Sequence, residues 1–285
     1  MINNSPFTFK SSKTFIAAAL LLTFSSTVTY AHDSHDSCDV DLKAGLTINE
    51  SGLEFFESKN KEHVLYTIDN NNNLTVGGES ISLNSKQQGL VKQYHQDIRA
   101  MVPKIKTIAI EGVDLALEGV NLAFNELLGE GNNVGAELTQ ELSTLREEVG
   151  ERFTIENGFT IGEQGLADDE LFGEEIEQRI ESAVEKAVMG SMGTLLVALG
   201  QEMMFSGGDS DAFETRMENF GESIEQKMEL GAEKIERKAD SLCAAAVKID
   251  QLEEQLKSSI VPLADINVIT AKHIRVRDNH DKSLM

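Results

Sequence analysis

The apolar and polar positions follow two different patterns on either side of residue 84. Before it, apolar and polar residues alternate in short runs separated by Asn, Asp and Gly, which predicts an antiparallel β-meander with one apolar face. The predicted strands are residues 46–48, 53–56, 63–68, 74–76 and 81–83. Residues 69–73 and 77–78 are predicted turns, because Asn, Asp and Gly tolerate left-handed backbone conformations.

After residue 84 the apolar positions recur every three or four residues, which is the period of helices that bury one face. Pro103 lies within the first of these helices and predicts either a kink or two stacked helices. A shorter helix is predicted around residues 138–149, and the longest one over residues 209–258. In the first helix two sets of residues repeat every seven positions, as in a coiled coil: Val91, Ile98, Ile105, Gly112 and Gly119, and Tyr94, Met101, Ile108, Leu115 and Leu122.

Two further segments stand out. Asn157-Gly158 separates two alternating runs, so a β-hairpin with a type I′ turn is predicted near residues 152–162. Residues 183–205 are the most apolar stretch beyond the N-terminus, and residues 187–200 carry no charge. That uncharged run is too short to cross a bilayer, for which about 20 residues are needed. We therefore expect a buried helix around which the other helices pack.

The N-terminus has the pattern of an export signal. Lys10 and Lys13 precede an apolar run at residues 15–24, and Thr29 and Ala31 are suitable small residues before a cleavage site. An uncleaved membrane anchor and a short buried helix are the alternatives, but the apolar run is short and the polar residues 32–37 follow at once. Cleavage after Ala31 removes two lysines and no acid, so the net charge changes from −23 to −25.

Such acidity disfavours binding to nucleic acid or to anionic membranes. Its simplest role is solubility, and a cationic partner is the alternative. Cys38 and Cys243 both remain after cleavage, and an even number of cysteines in an exported chain predicts a disulfide between them. Two free thiols are the alternative.

These patterns predict an α+β fold in which a small N-terminal antiparallel β-meander packs on a bundle of long α-helices. We divide the chain into a signal peptide (1–31), a β-rich region (32–84), a helical bundle containing the hairpin (85–262) and a flexible tail (263–285). Residues 32–39 are expected to be mobile. The predicted disulfide joins the β-rich region to a helix near the end of the chain.

The order of motifs resembles a known family. The chain has an early Cys38 and a late Cys243, and between them Leu74-x-Val76-x-Gly78-x-x-Ile81-x-Leu83, Gln87-Gln88, Tyr94 and Pro103. This arrangement is similar to that of the YggN-like family of gamma-proteobacterial periplasmic proteins, a domain of unknown function. The similarity is best over residues 38–129, and residues 131–165 depart from it. The resemblance implies a periplasmic location and assigns no active site.

Two places have residues suited to metal binding. After cleavage, the free amine and imidazole of His32, with His35 nearby, are suitable ligands for copper or zinc; the alternative is a solvated leader. Asp69-x-Asn71-x-Asn73 matches the first oxygen positions of a calcium loop. Leu74 replaces the Gly of that loop and Ser80 replaces its closing Glu, so a plain turn is favoured.

No phosphate-binding loop, dinucleotide fingerprint, HExxH or CxxC motif occurs, and no serine lies on a predicted strand-to-helix elbow. We therefore predict a non-enzymatic exported protein without a cofactor, acting by binding as an envelope accessory factor. An alternative is a carrier of apolar ligands (lipid or peptide) or a holdase chaperone, using an apolar groove at Met189, Met192, Leu196 and Met203. Those residues could instead simply fill the core. Metal binding at His32 and His35 is a third hypothesis.

Overall fold

The computed structural model describes residues 37–57, 60–128, 135–162, 174–205 and 211–274. Within these residues the chain forms a six-stranded antiparallel sheet, a two-stranded sheet and four α-helices. The predicted α+β class is therefore confirmed. The predicted signal peptide and His32 and His35 lie outside the described residues.

The N-terminal β-meander forms as predicted, with small shifts at its ends. Asp69 closes the long turn, because its carboxylate accepts hydrogen bonds from the backbone N–H groups of Asn71 and Asn73, both at 2.8 Å. The strand predicted at residues 81–83 does not form, because the last strand of the meander ends at Ser80. The strands are β1 (Ser37–Leu42), β2 (Ala44–Asn49), β3 (Gly52–Glu57), β4 (Asn60–Asp69), β5 (Leu74–Val76) and β6 (Glu79–Ser80).

The β-hairpin predicted near residues 152–162 does not form. The chain up to Arg152 is helical, and strand β7 (Phe159–Ile161) instead pairs with β2, giving the order β6-β5-β4-β3-β2-β7. The predicted type I′ turn is also wrong: a turn spans Ile155 to Gly158, and Gly158 has a positive φ of 69° whereas Asn157 does not. An isolated two-stranded hairpin is marginally stable, whereas β7 covers an edge strand and buries Phe159 in the sheet's core.

The predicted mobile leader and flexible tail were also partly wrong. β1 pairs along its full length with an antiparallel strand, β8 (Ile269–Ile274), from the far end of the chain. Val268, Ile269 and Ala271 are buried, and this burial explains why the segment is ordered. Residues 275–285 lie outside the described residues.

The first helix, α1, is continuous across Pro103, so the prediction of two stacked helices is wrong. Its buried residues follow the predicted coiled-coil repeat at Val91, Tyr94 and Ile98. Beyond them Val102 is buried in place of Met101, and burial continues at Ile105, Ala109 and Val113, which is the period of a straight helix. The short helix buries Leu138, Leu142, Leu145 and Val149 as predicted. The helices are α1 (Ser85–Leu128), α2 (Ala136–Arg152), α3 (Glu174–Phe205) and α4 (Asp211–Ser259).

Two hydrophobic cores result. The proximal core lies between the sheet, the first half of α1, the second half of α4 and β8, and includes Phe55, Ile68, Leu74 and Tyr94. The distal core is smaller and joins α1, α2 and α3. Cys38 of β1 is bonded to Cys243 of α4, with 5.9 Å between their Cα atoms, so the predicted disulfide is present.

The central helix of the bundle is α1, which contacts each of the other three helices. The sequence predicts that role for residues 183–205, and this prediction is wrong. Instead α3 buries Ala183 and Ala187 and exposes Val188, Met189 and Met192 by 47%, 62% and 59%. Its small buried side chains form a narrow contact, so α3 lies at the periphery. None of the described helices combines the length and apolarity that a bilayer span requires.

Candidate functional site

The exposed apolar surface of α3 is the strongest candidate for a functional site. We define the α3 apolar face as Val184, Val188, Met189 and Met192. The described residues include six exposed large apolar side chains, and these four occupy one short span of α3. The other two, Leu230 and Val261, are isolated. Isolated apolar residues are normal on protein surfaces, whereas a cluster of them is a candidate interaction surface.

The attachment of α3 to α2 explains why this face stays open. On the α2 side α3 presents Ile176, Ile180, Ala183 and Ala187, and these side chains complete the distal core. Successive positions turn by about 100° around a helix, so Val184, Val188 and Met192 lie beside that buried stripe rather than within it. The surface of α2 is too narrow to cover both the buried stripe and the adjacent stripe of Val184, Val188 and Met192.

Ion pairs fix the rotation of α3 on α2. The Nε of Arg179 donates to Glu141 at 3.0 Å, and its Nη1 donates to Glu148 at 3.1 Å. Two turns further along α3, Lys186 pairs with Glu137. The hydrogen bonds that Arg179 donates to Glu141 and Glu148 raise the pKa of its guanidinium, so this cation stays charged. The α3 apolar face is thereby held away from α2.

The predicted apolar groove is only partly described. Met189 and Met192 lie together on the α3 apolar face, so the alternative that these two methionines fill the core is wrong. Leu196 and Met203 also belong to α3. Their side chains lie outside those that the structure describes. Methionine suits such a surface because its flexible thioether adapts to different apolar ligands.

A second unusual feature is a buried carboxylate in the proximal core. Glu253 is 3% exposed, and its two oxygens accept hydrogen bonds from the backbone N–H groups of Val268 at 2.6 Å and Ile269 at 3.2 Å. The hydroxyl of Tyr94 donates to it at 3.4 Å, and the hydroxyl of Tyr66 lies 3.2 Å from that of Tyr94. This cluster connects α4, α1, the sheet and β8.

Burial dominates the electrostatics of this cluster. It raises the pKa of Glu253 to about 7, against the two backbone hydrogen bonds and nearby Lys257, which lower it. Burial also raises the pKa of Tyr66 and of Tyr94 well above 10.0, and the charge of Glu253 adds to the effect. Because Glu253 is enclosed and bonded to the backbone, we assign it a structural role in holding β8.

Sequence reasoning missed Glu253, although a signal was present. The residue lies four positions after Ile249 and three before Leu256, both of which are buried. A carboxylate on the apolar stripe of a helix is energetically costly unless it has buried partners. Its position on the apolar stripe of α4 is the one property that distinguishes Glu253 from the many other acidic residues of this chain.

A shallow polar cavity of about 370 Å³ lies where the long turn meets the start of α1. Its lining is rich in amides and has Lys92 as its charged side chain. Nearby, the Nδ1 of His95 is 3.0 Å from the Oδ1 of Asn72, and burial together with the charge of Arg99 lowers the pKa of that imidazole. Asp69, which resembled a calcium ligand, is engaged in closing the turn.

The described residues contain no cluster of three or more His, Cys, Asp or Glu side chains arranged to hold a metal ion. The predicted ligands His32 and His35 precede these residues, so their hypothesis stays a prediction. A family model described as "Protein of unknown function (DUF2884)" matches residues 38–269. The chain belongs to this family. No protein of curated function and no solved structure matches it.

The match to the DUF2884 family extends from β1 to the first residue of β8. It therefore contains both cysteines of the disulfide, all four described helices and the Glu253 cluster. The family match therefore covers both the elements that close the proximal core and α3 with its apolar face.

Proposed function

We propose that the protein is exported to the periplasm and acts there, without catalysis, by binding a ligand on the α3 apolar face. The observation that carries this proposal is the exposure of Val184, Val188, Met189 and Met192 on one short span of a helix. A folded chain leaves such a cluster uncovered at a cost in free energy, which a bound apolar group would offset.

Export is supported by two independent features. The N-terminal pattern of Lys10, Lys13 and the apolar run before Ala31 is that of a signal peptide. The disulfide between Cys38 and Cys243 suits an oxidising compartment. The YggN-like assignment, with its gamma-proteobacterial range, would agree with this location and belongs to the same proposal.

The non-enzymatic part of the proposal rests on the chemistry of the titratable groups. Glu253 and Tyr94, whose pKa values are raised by burial, are enclosed and bonded to one another. His95 is also buried, and its ring contacts Asn72, one of the residues that line the amide-rich cavity. General acid–base catalysis requires such groups to reach a substrate, and here they hold structural elements together.

A dye-binding experiment tests the α3 apolar face. We would titrate the protein, purified without reductant, with Nile red, a neutral apolar dye that does not respond to protein charge. The double variant Met189→Gln/Met192→Gln should weaken dye binding about fivefold or more, because it replaces apolar side chains at the centre of the face with polar ones of similar length.

Leu230→Gln is the matched control, because Leu230 is 60% exposed but lies alone on α4. It should leave dye binding unchanged. Equal binding by the double variant and the unaltered protein would refute a role for this face. The mass of the purified protein tests export separately: loss of residues 1–31 is expected, and retention of Met1 would contradict it.

A further inference from the structure

The exposed side of α3 changes character along the helix. Glu177, Glu181 and Glu185 follow one another at intervals of four residues, and Val188 and Met192 come after them. At about 100° per residue, Glu181 and Glu185 project in nearly the same direction as Val188 and Met192. A row of carboxylates therefore leads directly into the α3 apolar face.

Among the described residues, no neighbouring cation neutralises these carboxylates. Glu181 and Glu185 are exposed and Glu177 is half-buried, and in the described part of the chain none of the three has an ion-pair partner. The cations of α3 are engaged elsewhere, since Arg179 and Lys186 both bind glutamates of α2. The row is thus open to a cation supplied by a ligand.

We propose that the ligand of the α3 apolar face is a cationic amphipathic segment of another polypeptide, and this inference rests on the proposed function. Its apolar residues would cover Val188, Met189 and Met192, and its Lys or Arg residues would face Glu177, Glu181 and Glu185. From Glu177 to Met192 the surface extends about 22 Å, the length of about 15 helical residues. An amphipathic helix of that length presents apolar and basic groups at matching intervals.

Charge selects this ligand over the other apolar candidates. A fatty acid or an anionic phospholipid would bring its negative headgroup towards the row of carboxylates, on a chain that already carries a net charge of −23. Nucleic acid is disfavoured for the same reason. A basic amphipathic polypeptide segment binds favourably to both the row of carboxylates and the α3 apolar face.

The test compares two synthetic helical peptides of about 18 residues with identical apolar positions, one with Lys and the other with Glu at its polar positions. Binding to the whole protein is measured by fluorescence anisotropy. The Lys peptide should bind, increasingly weakly as salt is raised, and the Glu peptide should not. Glu177→Gln/Glu181→Gln/Glu185→Gln should weaken binding of the Lys peptide about tenfold, from three exposed ion pairs of modest strength.

Glu218→Gln/Glu222→Gln/Glu225→Gln is the matched control, because it makes the same change in net charge at three exposed glutamates of α4. It should change the affinity less than twofold. Equal losses in both triple variants would mean that the peptide responds only to overall acidity and would overturn the inference. Equal binding of the two peptides, or tighter binding to anionic phospholipid vesicles, would overturn it as well.

The two proposals fail in different ways. If Met189→Gln/Met192→Gln leaves Nile red binding unchanged, the α3 apolar face is not a binding surface and both proposals fall. If those substitutions weaken dye binding but the α3 glutamate variant binds the Lys peptide normally, only the cationic ligand is refuted.

Discussion

The two ends of the molecule attach their helices in different ways. In the proximal core large side chains interlock: the rings of Phe55 and Tyr66 stack at 4.2 Å between centroids, and Phe55 and Tyr94 are fully buried. In the distal core α3 contributes mainly Ala183 and Ala187 and is fixed by ion pairs to α2. Apolar burial stabilises roughly in proportion to area, so the first arrangement provides stability and the second leaves surface available for binding.

The contact between α1 and α4 shows the same contrast. A Cβ added at Gly119 of α1 would lie 3.1 Å from the sulfur of Met228, so these helices approach closely where a glycine permits it. In contrast, a Cβ added at Gly193 of α3 would meet nothing within 4 Å. A glycine therefore accompanies a close approach of two helices at Gly119 but not at Gly193.

Breaking the disulfide should have the largest effect on this comparison. Cys38→Ala/Cys243→Ala removes a link between residues 205 positions apart, and the loop-closure model gives up to about 5 kcal/mol of lost stability. Urea unfolding followed by circular dichroism measures the change. Reduction of the disulfide should lower the unfolding free energy of the unaltered protein by the same amount, and reductant should leave that of the variant unchanged. A variant as stable as the oxidised protein would show that β1 and β8 are held by their other contacts alone.

The next effect concerns the pH dependence of the proximal core. The pKa of Glu253 is about 7 in the fold against 4.5 in the unfolded chain, so the fold favours the protonated form. The stability that this group contributes is complete below pH 4.5 and is lost as the pH rises through 7. Relative to Glu253→Gln, the unaltered protein should therefore lose about 2 kcal/mol of unfolding free energy between pH 5.5 and pH 8.

Glu254→Gln is the control for that measurement, since the side chain of Glu254 is 59% exposed and pairs with Lys257 at the surface. Its unfolding free energy should follow that of the unaltered protein across the same pH range. If Glu253→Gln does so too, the buried carboxylate does not control the pH dependence.

The smallest effect should come from the α3 apolar face itself. Met192→Ala should change the free energy of unfolding by no more than about 0.5 kcal/mol, because the side chain is 59% exposed. Leu145→Ala, in the distal core, should cost about 3 kcal/mol, since Leu145 is buried. Thermal unfolding of both variants checks the contrast. A large loss in Met192→Ala would mean that this methionine supports the fold rather than a ligand.

Much of the local structure was determined by the sequence. The turn at residues 69–73 follows from side chains that bond their own backbone, and α2 buries each of its four predicted residues. The alternation of apolar and polar residues in β2 to β5 and the helical period of α4 also involve residues only a few positions apart, so both can be recognised without knowledge of the fold. The pairing of Cys38 with Cys243 was fixed because the chain has two cysteines.

Only the tertiary structure decided which elements meet. Asn157-Gly158 predicted a turn, but the edge of β2 offered Phe159 a better partner than the residues before the turn. The segment leading to Ile274 is polar enough to suggest a tail, yet β1 and the carboxylate of Glu253 provide its hydrogen bonds. Residues 183–193 are apolar enough to form the central helix of the bundle, but α1 occupies that position. Local pattern sets the period of an element, whereas its partner depends on surfaces that distant parts of the chain leave uncovered.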